Sequence, residues 1–168
     1  MASPRLGGLL GCILMSFLAC RGPVDSGLGM RSAHVDVVWV SIERTPCMGT
    51  CPVYLASIYR NGLATYTGKK SVDRKGQWQA HLDKNQLRSL KQLIRSSGIT
   101  RMDSVYINPL LADYPGLNLQ VYSSHTLRKI RVMEVNPPAR VSGFAHSVDS
   151  LLESLSWMRV DAESKPLD

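Results

Sequence analysis

The chain has 168 residues, 44% of them apolar, which is enough for one ordinary domain. Twenty Lys and Arg against thirteen Asp and Glu give a formal charge of +7, so anionic partners are the electrostatic expectation. No G-x-S-x-G, H-E-x-x-H, phosphate-binding loop or dinucleotide fingerprint occurs. No nucleophile–base motif therefore argues for an enzyme, and no cofactor is expected. Basic and aromatic residues do not interleave as they do where bases stack, so nucleic acid is not an expected partner.

Residues 1–19 carry one basic residue, Arg5, and then an uncharged run from Leu6 to Ala19. A membrane-spanning helix needs roughly 20 apolar residues, so the run is short for an anchor and reads as a signal peptide. Leu18-Ala19-Cys20 resembles the lipobox of bacterial lipoproteins, in which a peptidase cuts before the cysteine and its thiol carries diacylglycerol. The resemblance implies a lipid on Cys20, although Phe17 and Leu18 depart from the commoner residues of the box. A rival box at Leu10-Gly11-Cys12 would leave too short an apolar region and would expose Ile13 to Leu18. The alternative is a plain cleaved signal with an incidental cysteine. Removing residues 1–19 takes away Arg5 and no acid, leaving +6. Residues 20–34 read as a lipidated N-terminus and a Gly-, Ser- and Pro-rich tether. Arg21 after the cysteine resembles outer-membrane sorting in some Gram-negative bacteria, which favours that membrane's periplasmic face.

A single α+β domain is expected over 35–158, with a polar tail at 159–168. Val35–Ile42 is dense in Val, Ile and Trp and predicts a strand buried on both faces. Thr45–Pro52 is a turn holding Cys47 and Cys51, and Val53–Tyr59 is a second strand. Asn61-Gly62 predicts a hairpin, because both positions tolerate positive φ. Leu63–Thr67 is the third strand, and Gly76–Leu82 alternates as a half-buried fourth. Asp83 caps a helix with Gln86 as its capping-box partner, Leu87, Leu90 and Ile94 form its stripe, and Gly98 ends it. Ile99–Gly116 reads as irregular. Leu117, Leu119 and Val121 mark a fifth strand and Thr126–Val135 a sixth. Asn136-Pro137 opens a last helix whose stripe runs from Val141 to Leu155, with Trp157 closing its end. The order ββββ-α-ββ-α predicts an antiparallel sheet of about six strands with two helices on one face.

The segment Cys47-Met48-Gly49-Thr50-Cys51-Pro52, with Tyr54, is the domain's most distinctive feature. With Asn61-Gly62 and Tyr66-x-Gly68 it resembles a family of bacterial exported or lipid-anchored domains of unknown function. That family carries C-x-G-x-C-P-x-Y, a strand, a D/N-G hairpin and a Tyr-x-Gly strand. The resemblance continues through Asp113 and Trp157 and brings no activity with it. An exported chain meets an oxidising compartment, so Cys47 and Cys51 are expected to pair. Gly49 is expected to let the backbone turn sharply enough for closure. The competing reading is thiol-redox chemistry or copper handling by Cys47 and Cys51. C-x-x-x-C-P also resembles the motif of periplasmic copper chaperones of thioredoxin fold, and Met48 is a soft neighbour. That fold starts a helix at the second cysteine, whereas Pro52 here leads into a strand. His125 or His146 would have to supply a third ligand. The four histidines (His34, His81, His125, His146) show no metal-ligand spacing.

Lys84, Arg88, Lys91 and Arg95 fall in one narrow arc of the first helix. The plain reading is a solvated basic face; the sharper one is contact with anionic lipid headgroups or envelope polyanions. Another envelope protein is a further expected kind of partner. Asp113 reads as a turn-forming carboxylate.

Overall fold

The computed structural model describes residues 37–111, 113–123 and 126–160. The expected signal peptide, Cys20, the expected tether, His34, His125 and residues 161–168 lie outside the described residues. Among the described residues, no helix is long and apolar enough to cross a membrane.

The chain forms β1 (Val38–Arg44), β2 (Val53–Tyr59), β3 (Leu63–Lys70), β4 (Gly76–His81) and helix α1 (Lys84–Ser97). A 3-10 turn (Ile99–Arg101) leads to β5 (Val105–Ile107), β6 (Leu117–Ser123), β7 (Thr126–Met133), α2 (Ala139–Glu153) and β8 (Met158–Arg159). The strands make one eight-stranded sheet in the order β5-β7-β6-β1-β2-β3-β4-β8. All neighbours are antiparallel except β5 and β7. The fold is thus α+β with a mostly antiparallel sheet and two helices. Two strands exceed expectation, because β5 and β8 are three and two residues long and carry no legible period. Ile99–Gly116, expected to be irregular, contains both the 3-10 turn and β5. Pairing continues past β8, where the Val160 N–H donates to the Gln77 carbonyl at 2.9 Å.

The register separates the two faces. Across one row Ile130, Leu119, Ile42, Ala56, Tyr66 and Trp78 are direct neighbours. The first four are buried with the stripes of both helices in a single core. One residue along, Lys129, Gln120, Ser41, Ser57, Thr65 and Gln79 form a polar row on the opposite face. Period-two alternation dictates this split, and it places both helices on one side. β1 accordingly buries Val40 and Ile42 by hydrophobic contact. Its buried Ser41 lies on the other face and donates to the Ala56 carbonyl at 3.2 Å.

The helix signals are realised unequally. Asp83 Oδ1 accepts from the Asn85 and Gln86 N–H groups, Gln86 reaches back to Asp83 N–H, and Gly98 ends α1 left-handed at φ 67°. α2 begins later than expected, at Ala139, with Pro138 as its N-cap and no side-chain cap. The hairpin also differs from expectation. Gly62 N–H donates to Tyr59 O at 3.1 Å, and only Gly62 takes positive φ, while Asn61 Oδ1 accepts from Leu63 N–H. Asn61 therefore acts through its side chain, and the loop is a three-residue turn closed by a glycine.

Candidate functional site

Arg44, at the end of β1, pairs across the sheet with Tyr54 on β2. Both face the helix side, where Asp149 descends from α2. Arg44 Nη2 donates to Asp149 Oδ2 at 2.5 Å, and the Tyr54 hydroxyl donates to Asp149 Oδ1 at 2.5 Å. One carboxylate thus ties two strands to a helix with charge-assisted bonds. Burial, with Asp149 beside it, holds the Tyr54 phenol well above its ordinary 10.0. Burial works against the Arg44 charge, but the hydrogen bond and attraction of Asp149 outweigh it and raise its pKa.

Aromatic rings extend from this triad. The Tyr54 and Tyr66 rings stack with centroids 5.1 Å apart, and Trp157 tilts against Tyr66 at 5.6 Å. Such offset and tilted pairs suit the ring quadrupoles. Trp157 is fixed by its indole N–H, which donates to the Leu152 carbonyl at 2.8 Å. Burial raises the Tyr66 phenol, with Arg74 opposing the shift. The β3–β4 turn, Ser71 to Arg74, supplies the remaining wall, and Gly68 makes room for it. A Cβ there would lie 1.8 Å from the Arg74 carbonyl oxygen, so only glycine lets the β3–β4 turn fold back this closely. In that turn Ser71 takes φ 53°. The result is a cleft of about 530 Å³ between the turn and the end of α2. Arg44, Tyr54, Tyr66, Arg74, Asp149 and Trp157 line it, with Pro52 at one side and Asp73 and Glu153 at another.

The cysteine loop abuts this cleft. Cys47 and Cys51 form a disulfide with Cα atoms 5.9 Å apart. Gly49 does not serve the role expected of it: its φ is not positive, and a Cβ would meet only Cys47 Sγ, at an ordinary 3.7 Å. Its N–H instead donates to that sulfur at 3.2 Å. The loop is held against the segment before β6. Thr45 N–H donates to the Gly116 carbonyl at 2.9 Å, Gly116 N–H donates to Thr45 Oγ1 at 2.9 Å, and Met48 N–H reaches the Asp113 carbonyl at 3.4 Å. Asp113 thus joins the motif through its main chain, with its side chain exposed. Met48 is 82% exposed, and Pro52 leads into β2 rather than a helix. Among the described residues, no three of His, Cys, Asp and Glu gather in a metal-binding group.

The motif residues Pro52, Tyr54, Tyr66 and Trp157 therefore line one cleft, and Gly68 lets the turn beside it fold back. Lys84, Arg88, Lys91 and Arg95 are exposed along α1 and do not line the cleft. Arg44, Arg74 and Asp149 were not legible as site residues. Asp149 left one signal: it stands four residues after Ala145, at a position where the apolar stripe calls for a hydrophobic side chain. A larger hollow, about 680 Å³, lies on the polar face of the sheet. It is bordered by the cross-strand neighbours Glu43, Asn118 and Arg131, of which Asn118 donates to Glu43 Oε2 at 2.9 Å, and no motif residue reaches it.

Fold and site define a small α+β domain with a disulfide-stapled loop beside an aromatic cleft. A family described as a domain of unknown function, DUF6438, matches residues 38–152. This is more than half of the chain, and the chain belongs to that family. The matched span contains the ion pair, the disulfide and both stacked tyrosines, and stops before Trp157. No curated protein matches the chain.

Proposed function

We propose that this is a bacterial cell-envelope lipoprotein whose folded domain is a non-enzymatic binding module. The signal is cut before Cys20, that cysteine carries the lipid, and the domain lies on the periplasmic face of the outer membrane. The convergence of Pro52, Tyr54, Tyr66 and Trp157 on one cleft carries the binding assignment. The chemistry favours binding over reaction. Both Asp149 oxygens and the Arg44 guanidinium are engaged with each other or with Tyr54, and the Tyr54 phenol stays protonated. Such a set holds shape rather than moving protons, and a preformed cleft loses little entropy on binding. Aromatic faces beside Arg74, Asp73 and Glu153 suit a small ligand with one apolar face and several polar groups.

Two measurements test this reading. A fragment screen of cyclic polar compounds followed by amide chemical shifts is expected to perturb Tyr66, Arg74 and Trp157; hits confined to other surfaces would remove the cleft as the site. Intact mass of membrane-extracted protein is expected to match the chain from Cys20 plus acyl chains, against the bare cleaved mass of an unlipidated form. The same sample reports on Cys47 and Cys51. A structural staple resists mild dithiol and binds no Cu(I), and Cys47→Ser with Cys51→Ser lowers stability by about 2 kcal/mol or less without altering ligand shifts. Ready reduction with Cu(I) uptake would favour the thiol reading.

A further inference from the structure

α1 offers Lys84, Arg88, Lys91 and Arg95 to solvent and contains no acidic residue along its length. None of the four is in an ion pair among the described residues. The basic strip continues beyond the helix. A Cβ on Gly98 would lie 3.2 Å from Arg101 Nη2 and 3.4 Å from Arg140 Nη1, so two further guanidiniums crowd the last turn. The carbonyl end of the helix dipole tolerates that crowding of cations.

The strip lies beside the point where the chain enters the domain. Lys91 and Arg95 border a hollow of about 370 Å³ together with Trp39, Arg60 and Ser123. The Val37 carbonyl accepts from Arg60 N–H at 3.1 Å, so the first described residue sits at this same end. From Cys20 to Val37 is 17 residues (37 − 20), which reach at most about 60 Å fully extended. A lipid on Cys20 therefore keeps the domain within that reach of a headgroup layer, and the tether joins it at the end that carries Lys91 and Arg95.

We infer that the α1 face, with Arg101 and Arg140, docks the domain on anionic phospholipid headgroups of the membrane that holds its lipid. The orientation rests on the lipid anchor proposed above; the headgroup affinity does not. Charge complementarity identifies the occupant: a flat layer of phosphates meets a strip of cations that form no ion pair among the described residues. Docking α1 on the membrane leaves the cleft, which α1 does not line, open to a ligand.

The test uses the processed chain from residue 20 with Cys20→Ser, which contains every core residue and no lipid. Sedimentation with vesicles of phosphatidylcholine containing one third phosphatidylglycerol is expected to carry the protein down, and pure phosphatidylcholine is not. Raising the salt is expected to release it. K91E/R95E is expected to weaken binding at least about tenfold, since each basic residue near such a surface contributes roughly fivefold. K129E/R131E changes the net charge equally on the polar sheet face, and is expected to weaken binding less than about threefold. Thermal unfolding of both variants controls for folding. Equal losses in the two variants, or no vesicle binding by the parent chain, would overturn the inference. So would capture by soluble polyphosphate without vesicle binding, which would assign the strip to a polymer. Lipid on Cys20 is read independently by intact mass, so failure of the anchor and failure of the docking face are distinguishable.

Discussion

Asp149 is an acid on the sheet side of an otherwise apolar helix stripe, and its two bonds explain its presence there. Removing it strands Arg44 and Tyr54 in a half-buried cleft with their donors unmet. Asp149→Ala is expected to cost about 2–3 kcal/mol by urea unfolding, more than the roughly 1 kcal/mol of Tyr54→Phe. The phenol adds a pH signature. Its folded pKa is raised above the 10.0 of a free tyrosine, so its stabilisation is complete below about pH 10 and is lost as pH climbs toward the folded value. Stability measured between about pH 9 and 11 is expected to fall in the parent chain and to fall less steeply in Tyr54→Phe. Some slope remains there, because Tyr66 is raised as well. Tyr54 and Tyr66 were legible as motif members. Their partner was not, because only packing brings residues 95 positions apart into one hydrogen bond.

Single elements show which local signals were sufficient. α1 was legible from cap to terminus, because its capping box and its left-handed glycine are satisfied within the element itself. The β3–β4 hairpin was legible as two strands, but the role of Gly68 belongs to the folded turn, where the Arg74 carbonyl occupies the space of a Cβ. Gly68→Ala is expected to push that turn off the cleft and cost about 1–3 kcal/mol or more. Chemical shifts at Tyr66 and Trp157 should move with it; an unchanged melting curve would show that the turn yields easily. Gly49 gives the opposite lesson. Spacing suggested a sharp turn, yet the C-x-G-x-C loop closes with backbone angles open to any residue. β5 and β8 were invisible because two or three residues carry no period, and their strand character comes from neighbours already in place.

At the scale of the molecule, one face of an eight-stranded sheet is covered by two helices and the other is a polar surface. The exposed cations of α1 lie on the covered side, facing away from the core, and this puts the docking prediction at the molecular scale rather than with any single lysine. The sequence by itself determined the α+β class, the four leading strands and both helices, and it led one to expect, through export, the Cys47–Cys51 bond that the structure contains. Each is set by short-range periodicity, capping or proximity in the chain. It also supplied the expectation of export and of lipid on Cys20, which belongs to residues beyond the described domain. Only the tertiary structure decided that Arg44, Tyr54, Tyr66, Asp149 and Trp157 share one cleft, and that the chain enters beside Lys91 and Arg95. Those juxtapositions depend on strand register and on where α2 crosses the sheet, and both follow from burying one common core.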